Sequence, residues 1–396
     1  MNSSPKADRY FDASVFEESP RPRDTGSLLL QELVRPADIV FNGSRPWDIQ
    51  VRDPAFYGRV LRAGSLGLGE AYMDEQWDAQ SLDETLTRLL RANAEDGLRG
   101  AARMRLILAA LKTRLINRQT RGRAYEVGRR HYDIGNDVYR AMLDPTMSYS
   151  CGYWAESDSL DQAQLAKLEM ICRKLELKPG ERLLDIGCGW GGLAEYAART
   201  RGVRVLGVTI SKEQAQVARQ RCAGLPVEIR LCDYRDVEGR FDKAVSVGMF
   251  EHVGHKNYAR YFQQVADLMR DSGLFLLHTI GSRAADTVND PWVDAYIFPN
   301  GELPNAESIA SASRPVLILE DWHSFGSDYD RTLMAWWANF EGHWPELAAA
   351  GYDRRFFRMW KYYLHASAAF FRSRRGQLWQ LVLSKPARRK VYRSMR

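Results

Sequence analysis

From Lys178 onward, short apolar runs alternate with longer amphipathic stretches. The runs are RLLDIG, VRVLGVTI, VEIRLCD, DKAVSVG and LFLLHTIG, with helix-like segments between them. That alternation predicts an α/β fold with a mainly parallel, doubly wound sheet. Asp330 to Ala350 and Arg354 to Arg372 read as helices, and QLWQLVLSK as a closing strand. Upstream the pattern differs. Ser27 to Val34 and Pro46 to Asp83 mix short apolar stretches with Gly and Pro, and Leu82 to Leu115 reads as one helix. The chain therefore divides into a largely helical N-terminal domain over 1–120, a basic linker to about 130, and a second domain over 131–396. The linker carries Arg114, Arg118, Arg121, Arg123, Arg129 and Arg130 with little acidic compensation. No internal repeat or low-complexity stretch interrupts the pattern.

Composition changes this picture little. At 396 residues the chain exceeds what one core usually holds, which supports two domains. With 45% hydrophobic and 27% charged residues there is enough apolar material for full cores. The formal charge of +6 suits phosphate-bearing partners, and a solvated basic face explains it equally well. The five cysteines are odd in number and scattered, a usage expected of a reducing cytoplasm. MNSSPKADRYFDAS lacks the apolar core of a signal peptide, and no apolar run is long enough to span a bilayer, so peripheral membrane contact is expected. The basic segment ARRKVYRSMR is expected to be a disordered, solvated tail.

Candidate chemistry begins at LLDIGCGWGG, which sets Asp185, Gly187, Gly189, Gly191 and Gly192 where an apolar strand meets a helix. Glycines there let backbone turn tightly and approach a ligand. The spacing G-x-G-x-G-G, with an acid two residues before the first glycine and no Lys-Ser/Thr of a phosphate loop, favours S-adenosylmethionine over a pyrophosphate ligand. The second strand ends in GVTIS, where an acidic residue more often takes the ribose hydroxyls. Thr209, Ser211 and Gln214 are candidates to bind the ribose or the methionine end instead. The third strand ends in LCDYRD, which places Asp233 and Tyr234 where an adenine edge and face would be met.

The segments HYDIGNDVYRAMLD, MSYSCGYW, LDIGCGWGG, GVTIS, VSVGMFEHVG, LLHTIGS, YIFPNG, EDWHSFGSDYD and TLMAWW resemble, in order and spacing, the bacterial cyclopropane-fatty-acyl-phospholipid synthase family. The likeness runs from about Arg45 to Lys385. It includes GSLGLGEAYMDEQW, which the related mycolic acid cyclopropane synthases lack. The resemblance implies a Rossmann-like class I methyltransferase domain, S-adenosylmethionine as methyl donor, and a bicarbonate ion held by Cys151, Glu251, His278, Ile280 and Tyr329. It assigns the methyl donor to Tyr149 and Ser150, the loop from Asp185 to Gly192, Thr209 to Gln214, and Tyr234 with Arg235. It further implies a membrane phospholipid with a cis-unsaturated acyl chain as substrate, an N-terminal domain that assists lipid binding, and room for a homodimer at the cytoplasmic face of the membrane.

The chemistry of these residue types agrees with that implication. An alkene is a poor nucleophile, and methyl transfer to it leaves a carbocation. Closing a cyclopropane then requires a base beside an apolar pocket to take a proton from the new methyl group. A free carboxylate or amine there risks being alkylated itself, whereas a bicarbonate fixed by hydrogen bonds accepts the proton. Glu251, His278 and Tyr329 supply the donors and acceptors to hold it. Tyr149, Tyr153, Trp154, Phe250, Trp336 and Trp337 offer faces that stabilise positive charge, though for each one core packing is the commoner role. Cys151, Glu251 and His278 are also competent zinc ligands, and the reading here is non-metal. His252 and His255 read as helix-end or surface histidines. A methyl-branching fatty-acyl methyltransferase, an amine methyltransferase and an idle lipid-binding protein are the rival readings. Nucleic-acid methylation is disfavoured, since no base-flipping or basic aromatic module is present.

Overall fold

The computed structural model describes residues 25–93, 135–283 and 289–396. The arginine-rich linker and the far half of the helix expected over Leu82 to Leu115 lie outside the described residues.

Helices α1 (Thr25–Val34), α2 (Ala55–Ala63), α3 (Ser65–Met73) and α4 (Leu82–Arg91) form the N-terminal part, with the two-residue strands β1 (Gln50–Val51) and β2 (Trp77–Asp78) paired antiparallel between them. The helix expected from Leu82 stops at Arg91, and Asn93 follows in left-handed backbone at φ 50°. An Asn tolerates that conformation and ends a helix in the way glycine does.

Downstream come α5 (Asn136–Met142), α6 (Leu160–Lys174), β3 (Arg182–Ile186), α7 (Gly192–Arg201), β4 (Arg204–Thr209), α8 (Lys212–Arg221), β5 (Val227–Leu231), β6 (Phe241–Val247), α9 (Tyr258–Leu268) and β7 (Met269–Ser282). The chain continues through α10 (Pro291–Tyr296), α11 (Ala306–Ser313), β8 (Ile318–Ser324), α12 (Asp328–Gly342), α13 (Trp344–Ala349), α14 (Arg354–Arg372) and β9 (Gly376–Ser384). A seven-stranded sheet runs β5-β4-β3-β6-β7-β9-β8. Its first five strands are parallel, and β9 enters antiparallel between β7 and β8. The central strands are almost wholly buried because apolar clusters cover both sheet faces, which is why they read as unbroken apolar runs.

Two helical expectations shift. The segment Asp330 to Ala350 is two helices, because Pro345 near the start of α13 cannot donate a backbone N–H, and the chain turns at His343. The tail is docked rather than disordered, although most of its residues remain exposed. Arg388 and Lys390 both pair with Glu176 at 3.2 and 2.6 Å, Tyr392 is buried, and Arg396 grips Asp321 through two bonds of 2.7 and 2.8 Å. Its basic composition finds acidic partners on the domain surface.

A single apolar cluster joins the N-terminal helices to α5, α12 and α14. Arg358 of α14 carries much of the polar part of that junction. It donates to the Tyr72 and Trp77 carbonyls and to Asp78, with its guanidinium 3.9 Å from the Tyr72 ring centroid. Arg372, at the end of the same helix, pairs with Asp83 of α4 and Asp330 of α12.

Candidate active site

A cavity of about 200 Å³ opens at the carboxyl ends of β3, β4 and β6, the place where a doubly wound sheet receives its ligand. Gly187 and Gly189 turn there at φ 83° and 53°. Both line the cavity, and a Cβ on Gly189 would meet no protein atom within 4 Å. The cavity is bounded also by Tyr149, Ser150, Asp185, Thr209, Gln214, Asp233, Tyr234 and Arg235. Asp185 is buried, and its Oδ2 has no hydrogen-bond partner among the described residues. Burial pushes this carboxyl up to about 7.

Two of the expected cofactor residues, Gly191 and Ser211, do not line the cavity, and a third, Asp233, lines it with its carboxylate engaged by Arg235. A Cβ on Gly191 would come within 3.1 Å of Ala218 Cβ and 3.3 Å of Cys222 Sγ, so its role is to let α7 and α8 pack. Ser211 caps α8, accepting from the Gln214 N–H at 3.2 Å, while its own N–H donates to Thr209 Oγ1. It braces Thr209 and Gln214, which face the cavity. The Asp233 carboxylate accepts both the backbone and guanidinium N–H groups of Arg235, at 2.5 to 2.9 Å. Those bonds fix the strand-end turn.

The second set of residues lies just behind this cavity wall. Cys151 follows Ser150 directly, and Glu251 stands between the cavity-lining Met249 and His252 in a 3₁₀ turn after β6. Cys151 is fully buried, and burial raises its thiol well above the ordinary range, so it stays neutral. Glu251 Oε1 accepts the Ile280 N–H at 2.6 Å, and burial pushes the carboxyl up to about 7. Ile280 is thereby committed to Glu251: its N–H orients the carboxyl.

His278 sits in β7 opposite Gln380 of β9. With the Gln380 amide donating to Nδ1 at 3.2 Å, the proton of the neutral ring rests on Nε2. Burial, then the fields of Lys167 and Lys174, hold the ring well below its usual pKa. Tyr329 stacks on Phe371 at 4.4 Å and meets Trp336 edge-on at 6.1 Å. Its phenol stays protonated, raised by burial and then by the nearby Cys151, Tyr363 and Glu251. Glu251 Oε2 and His278 Nε2 are buried without a hydrogen-bond partner among the described residues. A small anion offering one O–H and several acceptor oxygens satisfies both, so the residues present fit a bicarbonate ion. Among the described residues, no group of three His, Cys, Asp or Glu side chains is placed to hold a metal.

Some functional positions were not read from sequence. Thr332 of α12 is buried. Its hydroxyl accepts from Gly152 N (3.1 Å) and Trp154 Nε1 (2.8 Å) and donates to the Asp328 carbonyl (2.9 Å). It therefore fixes the Cys151 segment against the helix that carries Tyr329. Lys167 of α6, also buried, lines the cofactor cavity and donates to Ser150 Oγ at 2.8 Å. His252, taken as a helix-end or surface group, lines the cavity too, and burial pulls it down to about 4. His255 pairs with Glu302 at 2.8 Å. Of the six aromatics, Phe250 packs on Tyr258 at 4.3 Å in the core, while Tyr149 bonds Tyr363 at 2.6 Å and lies 5.3 Å from Trp336.

Comparison with known proteins agrees with this geometry. Residues 119–381 match the family of mycolic acid cyclopropane synthetase. The chain is 53% identical over 373 residues to the cyclopropane-fatty-acyl-phospholipid synthase of Escherichia coli, covering 94% of this chain and 97% of the relative. It is 43% identical over 269 residues to a probable fatty acid methyltransferase of Pseudomonas putida, covering 65% and 68%. The structure of the cyclopropane synthase MmaA2 from Mycobacterium tuberculosis superposes with a TM-score of 0.62 at 31% identity, over 66% of this chain and 98% of that one. The fold is that of the class I methyltransferases, with a helical N-terminal region added. On the match over more than half its length, the chain belongs to the mycolic acid cyclopropane synthetase family of S-adenosylmethionine-dependent enzymes.

Proposed function

We propose that this chain converts the cis double bond of an unsaturated acyl chain in a membrane phospholipid to a cyclopropane, with S-adenosylmethionine as donor. The alkene π pair attacks the sulfonium methyl carbon, the carbon–sulfur bond breaks, and S-adenosylhomocysteine leaves with the electron pair. A proton then departs from the transferred methyl, and its C–H pair closes the ring onto the cationic carbon. A bound bicarbonate supplies the base for that proton. Glu251 and His278 would hold this anion through Oε2 and Nε2, which have no hydrogen-bond partner among the described residues. Ile280 orients the Glu251 carboxyl, and Cys151 and Tyr329, both kept neutral, complete the enclosure without adding a nucleophilic anion beside the donor.

The observation that carries this reading is that Glu251 Oε2 and His278 Nε2 are both buried without a hydrogen-bond partner among the described residues, with Cys151 and Tyr329 nearby and neutral. The residues assigned to the donor are Tyr149, Ser150, Asp185, Gly187, Gly189, Thr209, Gln214 and Tyr234. No helix among the described residues is long and apolar enough to cross a membrane. A substrate whose double bond lies within a bilayer supports the reading that the chain works as a peripheral protein at the cytoplasmic face. Residues 1–120 serve lipid binding or assembly of a homodimer, and residues 131–396 carry catalysis.

The test is mass spectrometry of vesicle phospholipids bearing cis-monounsaturated chains after incubation with the purified chain and S-adenosylmethionine. A gain of one CH₂ followed by upfield ring protons in the NMR spectrum establishes the synthase. A methyl branch of the same mass, or no gain on well-bound vesicles, overturns it.

A further inference from the structure

Lys167 is 1% exposed and lines the cofactor cavity. Among the described residues its ammonium makes one hydrogen bond, to the neutral Ser150 hydroxyl at 2.8 Å, and no ion pair. The neighbouring carboxylate, Asp144, is already engaged by the N–H groups of Thr146 and Ser148, each at 2.9 Å. The Cys151 thiol is neutral. A buried cation with no counter-ion in contact is costly, so its retention calls for a reason.

Holding the Ser148–Ser150 segment does not supply one. Gln164, one turn earlier on the same helix face, already donates its amide to the carbonyls of Ser148 and Ser150, at 3.3 and 2.8 Å. A neutral side chain thus does the bracing beside Lys167. What Lys167 adds beyond a neutral side chain is a positive charge to meet an anion in the cavity. The cavity also holds Asp185, whose Oδ2 has no hydrogen-bond partner among the described residues, so besides the mutually paired Asp233 and Arg235 it presents one carboxyl and one ammonium. That pair matches the zwitterion of an amino acid.

We propose that Lys167, with the Ser150 hydroxyl, holds the methionine carboxylate of the methyl donor and so sets how far the sulfonium methyl reaches toward the Cys151–Glu251 side of the site. The inference rests on the S-adenosylmethionine reading of the cavity. Lys167 is a positioning residue for methyl transfer: it grips a part of the donor that does not react. Burial draws its ammonium down to about 8, so it stays mostly charged near neutral pH, and an anion at contact distance would raise it again.

The experiment is calorimetry with two probes, S-adenosylmethionine and its decarboxylated analogue, which keeps the sulfonium and the amine. The wild-type chain is expected to prefer the carboxylate-bearing probe, and Lys167→Met to lose about 10- to 100-fold in affinity for it alone, the usual worth of a charge-assisted hydrogen bond. Lys167→Arg should keep part of the preference. Gln164→Leu, which loosens the segment carrying both Tyr149 and Ser150 but leaves the ammonium in place, should weaken both probes while keeping part of the preference. Equal weakening of both probes by Lys167→Met assigns the lysine to scaffolding and overturns the proposal. So does a wild-type chain that binds both probes equally, a result that needs no variant to fold. A wild-type chain that binds neither overturns the cofactor reading and this proposal with it.

Discussion

Replacing Thr332 with valine keeps the shape of a buried side chain and removes one hydroxyl. That hydroxyl accepts from the Gly152 N–H and the Trp154 indole N–H, and both donors lie in buried surroundings. Valine leaves them unpaired, at about 1–3 kcal/mol each, so a destabilisation of about 2–6 kcal/mol is expected before any relaxation. Relaxation has a cost in function. The segment can reach other acceptors only by moving Cys151 and Trp154 away from α12, whose Asp328 also holds the Trp154 N–H at 2.7 Å. The assay is urea unfolding with and without S-adenosylhomocysteine, beside cyclopropane formation in vesicles. Thr332→Val should unfold at markedly lower urea, and surviving protein should turn over slowly while still binding S-adenosylhomocysteine. Thr332→Ser, which retains the oxygen, should stay close to wild type. A Thr332→Val chain within about 0.5 kcal/mol of wild type and fully active would refute the argument that this hydroxyl ties the two halves of the site.

Glu251→Gln should reduce product formation by about 10²- to 10⁴-fold, with S-adenosylmethionine binding unchanged by calorimetry; an equal loss of both removes the residue from the chemistry. The pH dependence has a definite sign. Burial raises the folded-state carboxyls of Glu251 and Asp185 to about 7, above their unfolded values, so the folded state binds more protons. The contribution of these two groups to unliganded stability should therefore be fully present below about pH 4 and be lost as pH rises through 7, so Glu251→Gln with Asp185→Asn should make the melting temperature at pH 8 fall less relative to that at pH 5 than in the wild-type chain. Gly189→Val places a β-branched residue at φ 53° and fills the backbone approach, so donor binding should vanish, and retained affinity rejects the loop assignment. Asp321→Asn removes the carboxylate shared by Arg396 and the fully buried Lys174, and should lower stability by about 3 kcal/mol in urea, where an unchanged midpoint would show that the pair contributes nothing.

Much of the fold was legible because burial on both faces writes an uninterrupted apolar run. The inner parallel strands announce themselves in that way, whereas β5, at one sheet edge, reads by the alternation of Val227, Ile229 and Leu231 with Glu228 and Arg230. Strand β8, at the other edge, does neither: Ile318 and Leu319 are exposed, and Glu320, Asp321 and His323 break the pattern. Of the site, the glycine loop and the residues quoted with the family motifs were legible as sequence. Their division of labour was not. Gly191 and Ser211 share the loop and strand-end signals with true cavity residues, and only packing separates a glycine that admits a ligand from one that admits a neighbouring helix. Lys167 and Thr332 look like ordinary positions on amphipathic helices. A charge or hydroxyl reveals its purpose only once the groups around it are counted. The docked tail was missed because its acidic partners, Glu176 and Asp321, lie far away in sequence.

The insertion of β9 between β7 and β8 bears on how the chain comes to be active during synthesis. In order of translation, β7 and β8 both precede β9, yet they meet only through it. A ribosome-bound chain that has already made the donor loop, Glu251 and His278 still has an open seam beside β7, and the Gln380 that fixes the His278 tautomer has not been built. Such a nascent chain can form the nucleotide half of the site without the half that handles the proton. The sheet beside His278 is therefore completed only when the last strand enters its slot, and the polar partner that fixes the ring arrives with it.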